Sequence, residues 1–356
     1  MAGQEPGYLS KEQQLIGDIR SVVGDKFLGD DCAYVAGGLL LTTDTLLEGS
    51  HFLLELSDIT DIGFKAMAVN LSDIAAMAGR PRFALVALTV PPNLSRKDFL
   101  KLYEGMAECA RQYEVAIVGG DITSGPLLSI TISIVGSANE YGCLTRSGAQ
   151  PGDAIVVTGE FGLSSGALAA LLAASPQALS ARKHRPLRSG VATTKNKIQF
   201  ESLRSTYPLS MERHFRPTPR LLESWQFVKR AGQRGALMDA SDGLADALAQ
   251  IAQASNVGME IELTEVPMQK ETEQIARSLK QDPMDLVLYG GEDYELVGCL
   301  AASVWQTWSP VASVSHAAFK KIGRVTDSGR IDLLYKGRPG PKLDLEKCFQ
   351  HLAKVD

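Results

Sequence analysis

Short apolar runs that meet acids recur along this chain, and they constrain its fold more than any other feature. Five places stand out: Gly29-Asp30-Asp31, Thr42-Thr43-Asp44, Gly119-Gly120-Asp121, Asp239-Ala240-Ser241-Asp242 and Gly291-Glu292-Asp293. Each reads as an acid after a tight turn or strand end. Asp73 adds a further carboxylate, on a helix-like run whose neighbours are Ala, Met, Ile and Leu. A carboxylate beside apolar strands is costly unless it is paired or bound to a cation. Lysine and arginine are scarce in these segments, so protein ion pairs do not obviously satisfy the acids. Any one of them taken alone reads as a turn residue or helix cap; Asp242 could simply favour the start of its helix, and Asp58 and Asp61 read only that way. Together they predict a shared site for a hard cation such as magnesium, because the donors are all oxygen, without His or Cys.

The segments between the acids alternate in type. Leu39–Leu41 reads as a short buried strand, Asp61–Ala78 as a helix stopped by Gly79 and Pro81, and Phe83–Val90 as a strand closed by Pro91-Pro92. Ser95-Arg96-Lys97-Asp98 is a capping-box pattern opening a helix to about Tyr113. Val115–Val118 reads as a buried strand ending at Gly119-Gly120-Asp121. In Leu128–Ile134, apolar and hydroxyl residues alternate as in a half-buried strand. The turn-rich stretch Arg146–Asp153 marks the expected domain boundary, giving residues 1–148 and 149–356. Beyond it, Ala154–Thr158, Ala236–Met238, Met284–Tyr289 and Tyr294–Leu300 read as strands, with helices from about Ser164 to Ala174 and on to about Ala254. The alternation predicts mixed α/β domains with helices packed on sheets. The basic stretch at about 175–215 lacks clear periodicity and reads as a solvated insertion, with a docking surface for an acidic partner as the alternative.

Composition excludes several classes. A chain of 356 residues with 45% hydrophobic and 22% charged residues is ordinary for two globular domains. A net charge of -5 argues against a nucleic-acid partner. The five scattered cysteines (Cys32, Cys109, Cys143, Cys299 and Cys348) form no CxxC pair, so no zinc site or disulfide framework is indicated, and reduced thiols in the cytoplasm are expected. The first residues are polar, unlike a signal peptide, and no uncharged apolar run is long enough to span a bilayer.

An acid-rich, histidine-poor chain suits phosphoryl transfer to a phosphorylated acceptor. Donor and acceptor repel each other, and divalent ions can neutralise and align both. A phosphate oxygen is already an ionised nucleophile, so a general base is optional. The turn from Gly159 to Gly166 could bring backbone N–H groups to a phosphate, or be only a turn; it is not a P-loop, since no Gly-Lys-Ser/Thr follows. Arg146, at the domain boundary, fits an ATP-phosphate contact and a surface ion pair equally well.

The motifs GDDCAYV, TTDTLLEGSHF, KAMAVNLSDIAAMAGRP, VGGDITSGP, LTRSGAQPGD, RPTPRL, MDASDGLADAL and YGGEDYEL, in this order from Gly29 to Leu296, resemble thiamine-monophosphate kinase, a family of the aminoimidazole ribonucleotide synthetase-like superfamily. The resemblance implies two α/β domains, the N-terminal ones pairing across a homodimer to complete a β-barrel. It implies transfer of the ATP γ-phosphoryl group to thiamine monophosphate, with several magnesium ions and room for a monovalent cation. Asp30, Asp31, Thr42, Thr43, Asp44, Asp73, Asp121, Asp239 and Asp242 would hold metal, with Asp44, Asp73 and Asp121 central to catalysis. Tyr103, Gly120, Asp121, Arg146 and Ser241 would contact ATP. His51, which alone reads as a loop histidine, would position thiamine monophosphate with Glu292, and Phe349 would stack on the thiamine ring or be an ordinary core or surface residue. The competing readings are another ATP-using enzyme of the superfamily and a non-catalytic nucleotide- and metal-binding regulator. Selenophosphate synthetase would need an N-terminal reactive cysteine, and a hydrogenase-maturation relative a C-terminal cysteine tail; neither stands in this sequence.

Overall fold

In the computed structural model, which describes residues 11–24, 27–175, 194–308 and 319–349, the alternation resolves into two mixed sheets. The first half carries helix α1 (Lys11–Val23), strands β1 (Ala33–Val35) and β2 (Leu39–Leu47), helix α2 (Ile59–Ala76), β3 (Arg80–Val90), α3 (Arg96–Gln112), β4 (Ala116–Ser124) and β5 (Ser129–Ser137). Its strands pair in the order β1-β2-β5-β3-β4, and only β3 and β4 run parallel. The second half carries β6 (Ala154–Val157), α4 (Leu163–Ala174), α5 (Thr194–Thr206), α6 (Pro208–Phe215), α7 (Leu221–Ala231), β7 (Ala236–Asp239) and α8 (Leu244–Ser255). It continues through β8 (Gly258–Glu262), α9 (Lys270–Leu279), α10 (Pro283–Tyr289), β9 (Leu296–Leu300), α11 (Ala302–Gln306), β10 (Lys320–Thr326), β11 (Ile331–Tyr335) and β12 (Arg338–Pro339). These strands order as β12-β11-β8-β10-β6-β9-β7, with β8 and β11 parallel.

Helix α2 organises the molecule. An amphipathic helix buries one stripe, but α2 is buried on nearly every side from Asp61 to Ala76. It packs on β2 and β5 of the first sheet, on α3, and on β7 of the second. Its approach to α3 is backbone to backbone: a Cβ on Gly105 would stand 1.8 Å from the Thr60 carbonyl oxygen, and one on Gly63 2.0 Å from that of Leu102. Asp58 caps α2, accepting the Thr60 N–H at 2.9 Å. One face of the first sheet (Leu40, Ala84, Val86, Ile130, Ile132, Ile134) is buried in the core. The other leaves Leu39, Leu41, Phe83 and Leu85 exposed.

Several expectations need correction. Met284–Tyr289 is not a strand but lies in α10. Asp282 accepts the Met284 N–H at 2.9 Å and Pro283 starts the helix, a cap-and-proline signal that the apolar run Leu286–Tyr289 masked. Thr42-Thr43-Asp44 and Gly119-Gly120-Asp121 are not strand ends: β2 runs on to Leu47 and β4 to Ser124. The basic segment is not simply solvated. Residues 176–193 lie outside the described residues, but α6 buries Ser210, Met211, His214 and Phe215. Arg204 of α5 and Arg216, just beyond α6, grip the buried Asp61, Arg216 at 2.6 Å, and Arg216 also forms a two-pronged pair with Glu108 at 2.7 and 3.1 Å. Asp61, in the first turn of α2 as expected, is therefore also an ion-pair anchor, and Arg204, one of the basic residues of that segment, is spent inside the fold. Among the described residues, no helix is long and apolar enough to cross a membrane.

Candidate active site

The acids converge on a cleft of about 840 Å3 between the two sheets, lined among others by Asp30, Asp31, Thr42, Asp44, His51, Asp73, Arg146, Ser241, Asp242, Glu292 and Phe349. Its floor is a cluster: one carboxylate oxygen each of Asp31, Asp73 and Asp239 lies within 4.8 Å of the others. The three come from the loop before β1, the interior of α2 and the end of β7, so only the folded chain brings them together. Asp73 accepts the Thr42 hydroxyl and Asp239 that of Ser72. Period two along β2 aims Thr42 and Asp44 to the side of Leu40 and Leu46, which are buried. The Asp44 N–H is held by Asn70 Oδ1 at 2.9 Å. Thr43 faces the other way, its hydroxyl 3.2 Å from the Ile132 carbonyl and 3.0 Å from Ser133 Oγ.

Burial and mutual repulsion set the electrostatics. Burial, then the charges of Asp44, Asp239 and Asp31, raise the Asp73 carboxyl well above the ordinary range. Burial and Asp31 push Asp239 up to about 7 against the opposing pull of Ser72 and Arg146. Asp30 is raised by burial, while the Arg146 backbone N–H that it accepts at 2.9 Å works the other way. Arg146 is itself occupied. Burial would lower its pKa, but Asp31, 2.7 Å from Nη2, raises it, and the guanidinium also bonds Gln250. Three crowded carboxylates, two of them with hydroxyl partners, and no ion pair on Asp73 or Asp239 among the described residues, form an oxygen-only donor set that fits magnesium.

His51 also lines the cleft, and its Nδ1 accepts the Leu47 N–H at 3.0 Å, so the ring's proton in its neutral form sits on Nε2. Glu292 is held from behind: Lys65 Nζ lies 2.9 Å from Oε1, and His214 Nδ1 3.3 Å from Oε2. Burial would raise the Glu292 carboxyl, but Lys65 and His214 outweigh it and hold the group well below the carboxylate range. Ser241 and Asp242 line the cleft beside the Gly290-Gly291 turn. Phe349 lies at the rim, 41% exposed.

Three of the expected residues stand apart. Tyr103 packs against Phe99 on α3, with ring centroids 5.2 Å apart. Gly120 and Asp121 sit on exposed edge strand β4 and do not line the cleft of the single chain. Gly120 answers to close approach: a Cβ there would be 1.7 Å from the Val86 carbonyl oxygen. The Gly159–Gly166 turn offers no phosphate cradle at Gly162 and Ser164. Their N–H groups donate at 2.8 and 3.2 Å to Asp293, whose carboxyl burial pushes up to about 8. Lys65, Asn70, Ser72, Asp246, Gln250 and His214 escape the reading of the sequence. The first three did leave a signal, since polar residues inside the apolar run of α2 need partners; His214 left none.

The wider likeness agrees with this geometry. Residues 29–138 match the N-terminal domain of AIR synthase related protein, and residues 150–336 its C-terminal domain. The thiamine-monophosphate kinase of Bacillus subtilis (strain 168) is 34% identical over 332 residues, covering 92% of this chain and 93% of its own. That of Escherichia coli (strain K12) is 35% identical over 334 residues, covering 92% and 91%. A solved structure described as AaThiL complexed with AMPPCP and TMP superposes with a TM-score of 0.75 at 29% identity, covering 99% of this chain and 100% of that one.

Proposed function

The chain belongs to the thiamine-monophosphate kinase family of AIR synthase related proteins, and we propose from that premise that it phosphorylates thiamine monophosphate with ATP, giving thiamine diphosphate and ADP. In this reading the acceptor phosphate attacks the γ-phosphorus in line, its oxygen forming the new P–O bond as the bond to ADP breaks. No phosphoenzyme forms. The observation that carries it is the meeting of Asp31, Asp73 and Asp239 at the floor of a cleft large enough for both molecules.

Asp30, Asp31, Thr42, Thr43, Asp44, Asp73, Asp121, Asp239 and Asp242 would hold several magnesium ions. Thr43 would do so through its carbonyl rather than its committed hydroxyl. Bound magnesium supplies charge neutralisation for the donor and acceptor phosphates. The chain's own groups do the rest. Arg146, drawn away from Asp31 or reaching past it, would meet ATP phosphates together with Ser241. His51 would present Nε2–H, and Glu292 a carboxylate, to thiamine monophosphate, with Phe349 against its ring. Tyr103, Gly120 and Asp121 would act on ATP across a homodimer. That reading is supported by the edge of β4, unpaired among the described residues, where Val118 and Ile122 are 56% and 59% exposed, and by the apolar outer face of the first sheet. A division into residues 1–148 and 149–356 and a cytoplasmic site of action complete the proposal.

The test offers the purified protein thiamine monophosphate with magnesium and ATP. Thiamine diphosphate and ADP in equal amounts are the expected products. Phosphorylation of free thiamine alone would overturn the acceptor assignment, and tight ATP binding without ADP release would favour a non-catalytic regulator.

A further inference from the structure

The basic segment that the sequence leaves without a task supplies a buried wall of the cleft. Glu292 lies in the loop Gly290–Tyr294 entering β9, whose backbone is unusual: Glu292 and Tyr294 have φ of +67° and +52°, a left-handed conformation that costs a non-glycine residue about 1 kcal/mol or more. The loop holds it because the N–H groups of Glu292 and Tyr294 donate to the Ser241 and Ala240 carbonyls at 2.6 and 3.1 Å. The side chain is fixed as firmly. Lys65 from α2 and His214 from α6 reach its two oxygens from inside, with side chains only 4% and 6% exposed, while that of Glu292 is 22% exposed. His214 is in turn anchored, its Nδ1 3.0 Å from Ser164 Oγ and its ring edge-on to Phe215 with centroids 4.8 Å apart. Glu292 is the sole ion-pair partner of Lys65 among the described residues. Burying an ammonium costs several kcal/mol unless it is well paired. A merely structural pair would gain nothing from leaving its carboxylate open to the cleft.

We propose that Lys65 and His214 are positioning residues that hold the Glu292 carboxylate as a fixed acceptor for the acceptor substrate, so that α6 acts on substrate recognition through His214. The inference rests on the reading above in which Glu292 contacts thiamine monophosphate. That molecule offers amino N–H donors and a permanently cationic thiazolium ring, both complementary to a carboxylate held in one orientation.

The test measures kcat and separate KM values for thiamine monophosphate and ATP in the full-length protein. Glu292→Gln should raise the thiamine monophosphate KM by about 10-fold or more with the ATP KM within about 2-fold, as expected for loss of a charge-assisted contact. His214→Ala should raise it by roughly 5- to 10-fold, and His214→Asn, whose amide nitrogen can stand near the place of Nδ1, should recover most of that loss. The double variant His214→Ala/Glu292→Gln should be no worse than Glu292→Gln alone, since one residue acts through the other. Lys65→Met should behave like His214→Ala, with Lys65→Arg in its place if the Met variant does not fold. If Glu292→Gln raises the KM but His214→Ala does not, or if the two losses add in full, the positioning role is refuted while the contact of Glu292 stands. An unchanged KM in Glu292→Gln refutes both.

Discussion

Replacing Asp73 by asparagine should stabilise the metal-free protein while destroying its response to magnesium. The carboxylate oxygens of Asp31, Asp73 and Asp239 lie within 4.8 Å of one another. At an effective dielectric constant of about 20, two unit charges at that distance repel by roughly 3.5 kcal/mol. Asp73 takes part in two such pairs, so full ionisation would cost about twice that. Burial and the charges of Asp44, Asp239 and Asp31 accordingly raise the Asp73 carboxyl well above its ordinary range, so its ionisation works against the fold. Asparagine removes the penalty and keeps an oxygen for the Thr42 hydroxyl. A gain of about 2–4 kcal/mol in the absence of metal is expected, read as a rise in denaturation midpoint in chelator, or a Tm higher by several degrees. Wild type should gain stability on adding magnesium and the variant little, with turnover lost. An Asp73→Asn protein that is less stable in chelator, yet keeps the full magnesium-dependent shift, would refute both the repulsion and the metal site.

Asp44→Asn and Asp121→Asn should each lower turnover by about 100-fold or more with circular dichroism and melting intact, as for groups acting on the transferred phosphoryl; near-normal rates in both would sink their roles. Arg220→Met should destabilise by about 3–5 kcal/mol in denaturant titration. It strands Glu295, which is 2% exposed, and removes the Arg220 Nε contact at 2.6 Å, leaving only the Thr158 hydroxyl at 2.7 Å; a loss under 1 kcal/mol would contradict the burial of that pair. Asp293, with its carboxyl raised to about 8 by burial, binds a proton in the folded state that the unfolded chain releases near 3.8. Its contribution is complete below about pH 4 and is lost as pH rises through about 8, so stability should fall by about 2 kcal/mol from pH 6 to pH 8 in wild type, and less in Asp293→Asn. Equal slopes would show that Asp293 stays ionised at its helix cap.

Much of the frame could be read from the residues because it rests on local rules. The alternation in β5, the Asp58 and Ser95 caps and the strand–helix succession each follow from side-chain period or backbone hydrogen bonding within a few residues. The failures share a cause: the deciding partner is distant in sequence. Gly119 and Gly120 look like a turn, yet β4 continues through them because β3 pairs with each residue to Ser124, after a bulge that absorbs Val118. The Gly159–Gly166 turn looks open to a phosphate, but Asp293, more than a hundred residues on, fills it. Most of the cleft acids could be named from the sequence. His214 could not, because nothing in a basic, aperiodic stretch shows that this histidine is buried and meets Glu292.

The sequence also could not separate the two kinds of carboxylate that the fold creates. Asp61 and Asp73 stand on the same helix, six residues before and after Met67 in a largely apolar run. Asp61 is answered by Arg204 and Arg216, so the fold completes it. Among the described residues Asp73 is answered by a threonine hydroxyl and by further acids, as the proposed metal site would need. Glu292 belongs with Asp61 in being paired, yet it alone of those two opens on the cleft. The same substitution therefore has opposite meanings along this chain. Asparagine at 61 leaves two arginines facing each other and should weaken the fold, whereas asparagine at 73 relieves the empty protein and removes the reason for its site.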